Sequence, residues 1–580
     1  MPEAISEMTQ LVEQLNNRIA SLENRVSALE GGPAKQMPVR PTLEAPDARP
    51  SRPPETWQGF PPIEMPAMVS TLGKSVVGLA GAYLLRATAE SGTLPRVVVV
   101  MTVLYAALWM LWAVRAYRDR FTSVTYGITS LLILSPMLWE STVLFQFVSP
   151  AFSGAILVQF FVIAIALSWR RKLLAIPWLA AAACTVTALS LIVATHDLVP
   201  LTMAILAIAL IVEVGACSGR LMSVRAIAAA AADIAVLLVV DLLASNVPEG
   251  YRPASAITII ATWFTLMAIY VGSIGIRSFW LKRPITIIDI GQGMLCVVIA
   301  GFGAVRSPQN SVVMAFGIGL LVMATACYWG ALAIFSGPAY ARNRRVFAIW
   351  APVLLIGASS FLFSGDLRVL VLCIASLTTT LGYTRTGNVA LGIHTSVFLA
   401  AGAATSPLPD YVMNALAGTV PAAPGWSALV TATTAALCYC LGSHTAKEKT
   451  SRRILWVFPA ALLVFFGVAM AVAGITWFAA GRIDVSASRL SVIRTILNCV
   501  AALSLAFLAI RSRRVELGWL AYAAIAFGTL KLLFEDLRYG SPASLVLSFL
   551  FYGLALIVLP RVIRQGHADY VAPRANSVSA

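Results

Sequence analysis

The sequence predicts an all-α polytopic transmembrane helical bundle of about eighteen spans, led by a short N-terminal cytoplasmic coiled coil. Three observations predict it. Of 580 residues, 59% are hydrophobic and only 12% charged, whereas soluble domains sit near 45–50% apolar and about 25% charged. The apolar residues fall into runs close to the roughly 20 residues that a helix needs to cross hydrocarbon. The basic residues alternate with those runs: loops after even-numbered runs carry 25 Lys and Arg, loops after odd-numbered runs carry 8.

Residues 1–30 read as the coiled coil. Ile5, Met8, Val12, Leu15, Ile19, Leu22, Val26 and Leu29 alternate steps of three and four. The a positions are all β-branched and the d positions are Met or Leu, a combination that favours a parallel two-stranded coil. Arg18 and Arg25 at g would face Glu23 and Glu30 at e of a second chain. The expected partner is therefore a second copy, paired through residues 5–29. A single amphipathic helix lying on protein or membrane is the alternative. Gly31-Gly32-Pro33 stops the helix, and residues 31–66 hold ten prolines. Such a stretch behaves as a disordered, semi-rigid spacer of about 3.1 Å per residue.

Residues 67–564 form the membrane domain and 565–580 a cytoplasmic tail. The first two runs, Val69–Leu85 and Val97–Val114, make an antiparallel hairpin closed by Arg115, Arg118 and Arg120. The segment Gly73-Lys74-Ser75-Val76-Val77-Gly78-Leu79-Ala80-Gly81-Ala82-Tyr83-Leu84-Leu85-Arg86-Ala87 resembles the first span of a family of large bacterial membrane proteins whose domain has no assigned function. The turn Glu90-Ser91-Gly92 followed by Pro95-Arg96 is similar too. That resemblance implies a heptad segment, a proline-rich linker and many spans. It implies no catalytic or binding residues.

Further runs follow near 122–138, 153–169, 173–194, 199–217, 226–245, 254–276, 285–304, 311–336, 346–363, 367–381, 389–404, 426–441, 454–477, 490–510, 517–534 and 545–559. The run Leu367–Leu381 is short for a span. Positive residues concentrate in cytoplasmic loops, so the alternation predicts both termini in the cytoplasm and the chain in the inner (plasma) membrane. Two odd-side loops stand out. Thr405–Gly425 holds four prolines around Tyr411–Leu416 and predicts one interfacial turn of helix. Trp139–Pro150 is either a re-entrant piece or an interfacial aromatic belt.

Charges inside spans are costly and are usually paired or functional. Lys74, Glu213, Asp233, Asp241, Asp289, Arg494 and Lys531 are the candidates. Asp233 lies near mid-span, after the small-residue stretch Ala226–Ala232, which lets a neighbour approach closely. Asp233 and Asp241 are about 80° apart around a helix and share one side. Asp289 precedes Gly291-Gln292-Gly293, where backbone could bend toward a ligand. A proton- or ion-linked pathway is one reading of these groups. The other is structural pairing: Lys74 with Glu213 or Asp289, and Asp241 with Arg494 or Lys531, while Lys531 can also reach out to Glu535 and Asp536. His394 reads as a hydrogen-bonded packing residue.

The net charge of +16 does not predict nucleic acid, because the basic residues sit in short loops between spans. The eight cysteines lie in or beside apolar runs and read as small buried hydrophobes. No metal, Walker or Rossmann motif appears, so no cofactor is expected. Three function classes remain: a transporter or flippase for a small or lipid-like solute, a membrane scaffold acting through the coiled arm, and an enzyme on lipid-linked substrates. The last is disfavoured because the outer loops are short.

Overall fold

The computed structural model describes residues 65–575, apart from 91–94, 170–174, 220–222, 245–246, 336, 419–422, 446–452, 481–486, 513 and 540. The predicted coiled-coil contacts Ile5 to Leu29, the linker up to residue 64 and the end of the tail lie outside the described residues. Among the described residues every regular element is helical, so the expected all-α bundle is what forms.

The order is α1 (Met65–Glu90), α2 (Pro95–Arg115), α3 (Arg120–Val143), α4 (Pro150–Trp169), α5 (Ala175–Thr195), α6 (Leu198–Cys217) and α7 (Arg225–Leu243). Helix α8 (Ala256–Gly275) runs on into a π-helical turn, Ile276–Trp280, before α9 (Ile287–Arg306). Helix α10 (Asn310–Trp329) ends in a second π turn, Gly330–Ile334, and leads to α11 (Ala341–Leu362), α12 (Gly365–Thr386), α13 (Val389–Thr405) and α14 (Leu408–Ala417). The chain closes with α15 (Trp426–Thr445), α16 (Val457–Ala480), α17 (Ala487–Ser512), α18 (Val515–Lys531, with a third π turn at Leu532–Asp536) and α19 (Pro542–Ala575).

Among the described residues, each of the eighteen apolar runs falls mainly on a helix. Sixteen helices are long and apolar enough to cross a membrane, and a seventeenth span arises if α13 and α14, bent by 71°, count as one. The chain is thus a multi-pass membrane protein. Two expected spans do not qualify alone, for different reasons. Helix α13 has only 17 residues. Helix α15 has 20, but four are Thr and two are Ser. Of these, Ser427, Thr431 and Thr434 are buried against other helices rather than turned to lipid. The short run at Leu367–Leu381 belongs to a full 22-residue helix, α12.

Two large cores form inside residues 66–580. One gathers side chains of α2–α11 around Phe160, Phe161 and Trp263. The other gathers α12, α13 and α15–α19 around Tyr383 and Trp456. Helix α7 sits among α5, α6, α8 and α9. Its Ala228, Ala232 and Ala235 are fully buried or nearly so, as expected where small residues let helices approach.

Contacts between helix ends preserve the alternation seen in the loops. On one end, which carries the basic loops, Arg283 donates to the Ala216 carbonyl and the Asn343 side chain bridges Ile285 and Arg283. There too Arg514 lies over the Tyr439 ring, 5.1 Å from its centroid. On the other end Arg86 pairs with Glu140, Arg252 with Asp197 and Arg306 with Asp241. Loops from even and odd positions do not mix in these contacts.

At that second end α3 continues to Val143, and the chain then turns with Gln146 at φ 53°. Phe145 and Phe147 stack, with centroids 5.5 Å apart. This is an aromatic turn and not a re-entrant segment. The predicted single turn near Tyr411 is a ten-residue helix, α14, which buries Leu408, Tyr411, Ala415 and Leu416.

Candidate functional site

Four helix ends converge on the basic side of the first core. Helix α6 brings Glu213, α7 begins with Arg225, the π turn after α8 brings Arg277, and the first turn of α9 brings Asp289. All four side chains are buried. Arg225 Nε donates to Glu213 Oε1 at 2.7 Å and its Nη2 to Asp289 Oδ1 at 2.7 Å. Arg277 Nη2 donates to Asp289 Oδ1 at 2.6 Å and lies 3.5 Å from Glu213 Oε2. Ser273 donates to Glu213 and accepts from Arg277 Nε at 3.2 Å. The result is a closed lattice of two cations and two anions, net neutral.

Local sequence prepares part of it. Thr286 caps α9 by accepting from the Asp289 backbone N–H, while Asp289 Oδ2 accepts from the Thr286 N–H at 2.8 Å. This reciprocal box holds Asp289 through local contacts alone, and the carboxylate also suits the positive end of the helix dipole.

About 12 Å deeper along α7, at 1.5 Å per residue, lies Asp233. It is 5% exposed. Gln292 Nε2 of α9 donates to Asp233 Oδ1 at 2.8 Å, and Asp233 Oδ2 has no hydrogen-bond partner. The Tyr270 hydroxyl, buried on α8, also lacks a hydrogen-bond partner. Among the described residues, Asp233 is the one buried acid without a cation within 4 Å. Asp197, Glu213, Asp289, Glu516 and Asp536 each have one.

The second core holds its own cluster on the opposite end. Lys531 pairs with Asp536, lies 3.5 Å from Glu535, and donates to the Ser491 carbonyl and Thr495 Oγ1. Arg494 pairs with Glu535 at 2.6 Å. It also donates to the carbonyls of Asn414, Ala415 and Gly418 at 2.6–3.0 Å. A cation thus caps the last carbonyls of α14, where helix ends favour positive charge.

Several expectations need correction. Lys74 is exposed on α1 and does not pair with Glu213 or Asp289; Arg225 and Arg277 take both acids. Asp241 pairs with neither Arg494 nor Lys531, but with Arg306 at 3.0 Å, and its side chain is 53% exposed. The 80° between Asp233 and Asp241 suffices to bury one and expose the other. Lys531 does take the alternative partners, Glu535 and Asp536, but as a buried group, 7% exposed. Gly291-Gln292-Gly293 does not bend, because α9 is regular there and the indole of Trp350 packs against Gly293. His394 does bond to Tyr328, with 3.1 Å between the ring nitrogen and the hydroxyl.

Arg225 and Arg277 were hidden among the basic loop residues, and Gln292 and Tyr270 among apolar ones. One signal was available: the Thr286-x-x-Asp289 spacing ahead of an apolar run is a capping-box pattern. Among the described residues no three His, Cys, Asp or Glu side chains come together in a metal-like group. Comparison of the chain with family models, with curated proteins and with solved structures finds no match.

Proposed function

We propose that this multi-pass protein is a transporter or flippase-like bundle for a small or lipid-like solute, with Asp233 as the proton- or ion-exchanging group. One observation carries the reading: every other buried acid among the described residues is neutralised by a cation, and Asp233 alone is not. A buried carboxyl with one neutral hydrogen bond and a bare second oxygen is expensive to hold. A purely structural role would be served better by a partner or by an apolar residue. The ion-pair lattice above it locks α6, α7, α8 and α9 around this point. The charge alternation supports both termini on the cytoplasmic side of the plasma membrane.

The test is complementation of a deletion strain, in a condition where the deletion shows, with equal protein in the membrane. Asp233→Asn keeps size and the Gln292 hydrogen bond in reach, yet abolishes ion exchange; it is expected to fail. Full complementation by this variant removes the proposal. A second reading, a scaffold working through the arm, is favoured by the unbroken heptads from Ile5 to Leu29. It predicts the reverse: loss of function on deletion of residues 1–66, with Asp233→Asn active.

A further inference from the structure

An apolar cleft of about 360 Å³ opens between α8, α9, α10 and α11. Its mouth faces the lipid side of the bundle: Met294, Val298 and Val353 line it and are 44%, 61% and 46% exposed. Its walls are mainly aliphatic with aromatic rings at both ends, Phe279 and Phe347 toward the basic end and Phe316 and Phe361 toward the other. Along α11, Phe347 to Phe361 spans about 21 Å at 1.5 Å per residue, comparable to the roughly 15 Å depth of one leaflet's hydrocarbon. Glycines make the room. A Cβ at Gly275 would meet nothing within 4 Å, and one at Gly301 would only touch Phe316 and Phe361 at 3.7–3.8 Å.

A second, independent observation lies at the basic end of the cleft. Phe279 packs on Phe335 and Phe347, and the Lys282 ammonium sits 5.5 Å above the Phe335 ring. Arg342 and Arg345, both exposed, lie in the first turns of α11, five and two residues before Phe347. Across residues 276–290 and 338–350 the single acid is Asp289, already held by two arginines. Both π turns, Ile276–Trp280 and Gly330–Ile334, fall at this same end; such turns recur at functional positions. The cleft therefore has an apolar barrel and a cationic rim at interface height, the arrangement that suits an anionic lipid.

We infer that this cleft holds one acyl chain of an anionic phospholipid, with the lipid phosphate at Lys282, Arg342 and Arg345. The inference is independent of the role given to Asp233, because its readout is bound lipid and not transport.

The test uses the full chain purified in mild detergent, with phosphatidylglycerol and phosphatidylcholine as probes, and bound lipid counted by native mass spectrometry. Val298→Trp and Gly301→Leu fill the cleft from positions that are exposed or loosely contacted; a triple Lys282→Gln/Arg342→Gln/Arg345→Gln variant removes the rim. Unchanged melting and elution serve as the folding control. The expected result is one phosphatidylglycerol retained by the parent protein, and at least tenfold weaker retention in either cleft variant and in the rim variant. Equal retention of phosphatidylcholine, or cleft variants that hold phosphatidylglycerol as the parent does, overturns the inference. A rim variant with undiminished preference for the anionic lipid overturns the assigned headgroup site.

Discussion

Replacing Arg225 by Gln asks what the buried lattice is for. The substitution removes two hydrogen bonds, to Glu213 and Asp289, each 2.7 Å long. In membrane bundles such bonds average about 0.6 kcal/mol each, so their loss alone predicts about 1.2 kcal/mol. The charge count predicts more. Glu213 and Asp289 would be left to share Arg277, which is 2.6 Å from one and 3.5 Å from the other. One negative charge then stays buried without compensation, and removing one partner of a buried pair costs about 3–5 kcal/mol. The larger effect should win. The assay is reversible unfolding in mixed micelles, titrated with a denaturing detergent. The pair Arg225→Gln/Glu213→Gln restores neutrality and should recover about 1.5 kcal/mol or more, within the usual range of coupling between contacting residues. A single-variant loss near 1.2 kcal/mol, with no recovery in the pair, refutes the charge argument and leaves only hydrogen bonding.

Further outcomes follow from particular contacts. Gly442→Ala should destabilise by about 1–3 kcal/mol, since its Cβ would fall 2.1 Å from the fully buried ring of Trp456; Gly467→Ala, with open space around it, should be neutral or gain up to about 1 kcal/mol, both read in the same unfolding assay. Arg494→Gln should free the end of α14 and raise hydrogen exchange across residues 408–418 at least tenfold, while exchange in α12 stays fixed; equal protection would show that apolar packing alone holds α14. A cysteine at Glu249 should react with an impermeant reagent on intact cells, and one at Lys282 only after permeabilisation; the opposite pattern inverts the proposed orientation. Leu15→Pro should abolish cross-linking through a cysteine placed in the arm, and unchanged cross-linking would show that the heptads are not the contact between chains.

The spans were legible because their signal is local: each apolar run declares itself over about 20 residues, and basic residues count the crossings. The pairings were not, because they join helices far apart in sequence. Asp289 finds Arg225 across 64 residues, and no spacing rule reaches that far. Arg225 and Arg277 resemble loop residues in the sequence for a more specific reason. An apolar run is taken to end at a charge, yet α7 begins with a buried Arg225, and the π turn carries the helical path of α8 past Arg277. Lys74 failed in the opposite sense. A charge amid apolar residues suggested burial, but only 17% of the best window of α1 is buried, and a long lysine stem can lie along an apolar surface with its ammonium outward. The Asp289 cap and the close-packed alanines of α7 were readable, since a capping box and a small-residue stretch act within one or two turns.

Neutrality of the two ion-pair clusters has an electrical consequence. Arg225 and Arg277 offset Glu213 and Asp289, and Arg494 and Lys531 offset Glu535 and Asp536. A transmembrane voltage therefore does no net work when either cluster shifts as a unit, and the framework is blind to the membrane potential. Asp233 is not. Moving one elementary charge across the whole membrane is worth about 2.3 kcal/mol per 100 mV, so an ion reaching Asp233 near mid-span would feel roughly half of that. On the proposed role of Asp233, the field would act on the occupant of this one position and leave the paired clusters alone.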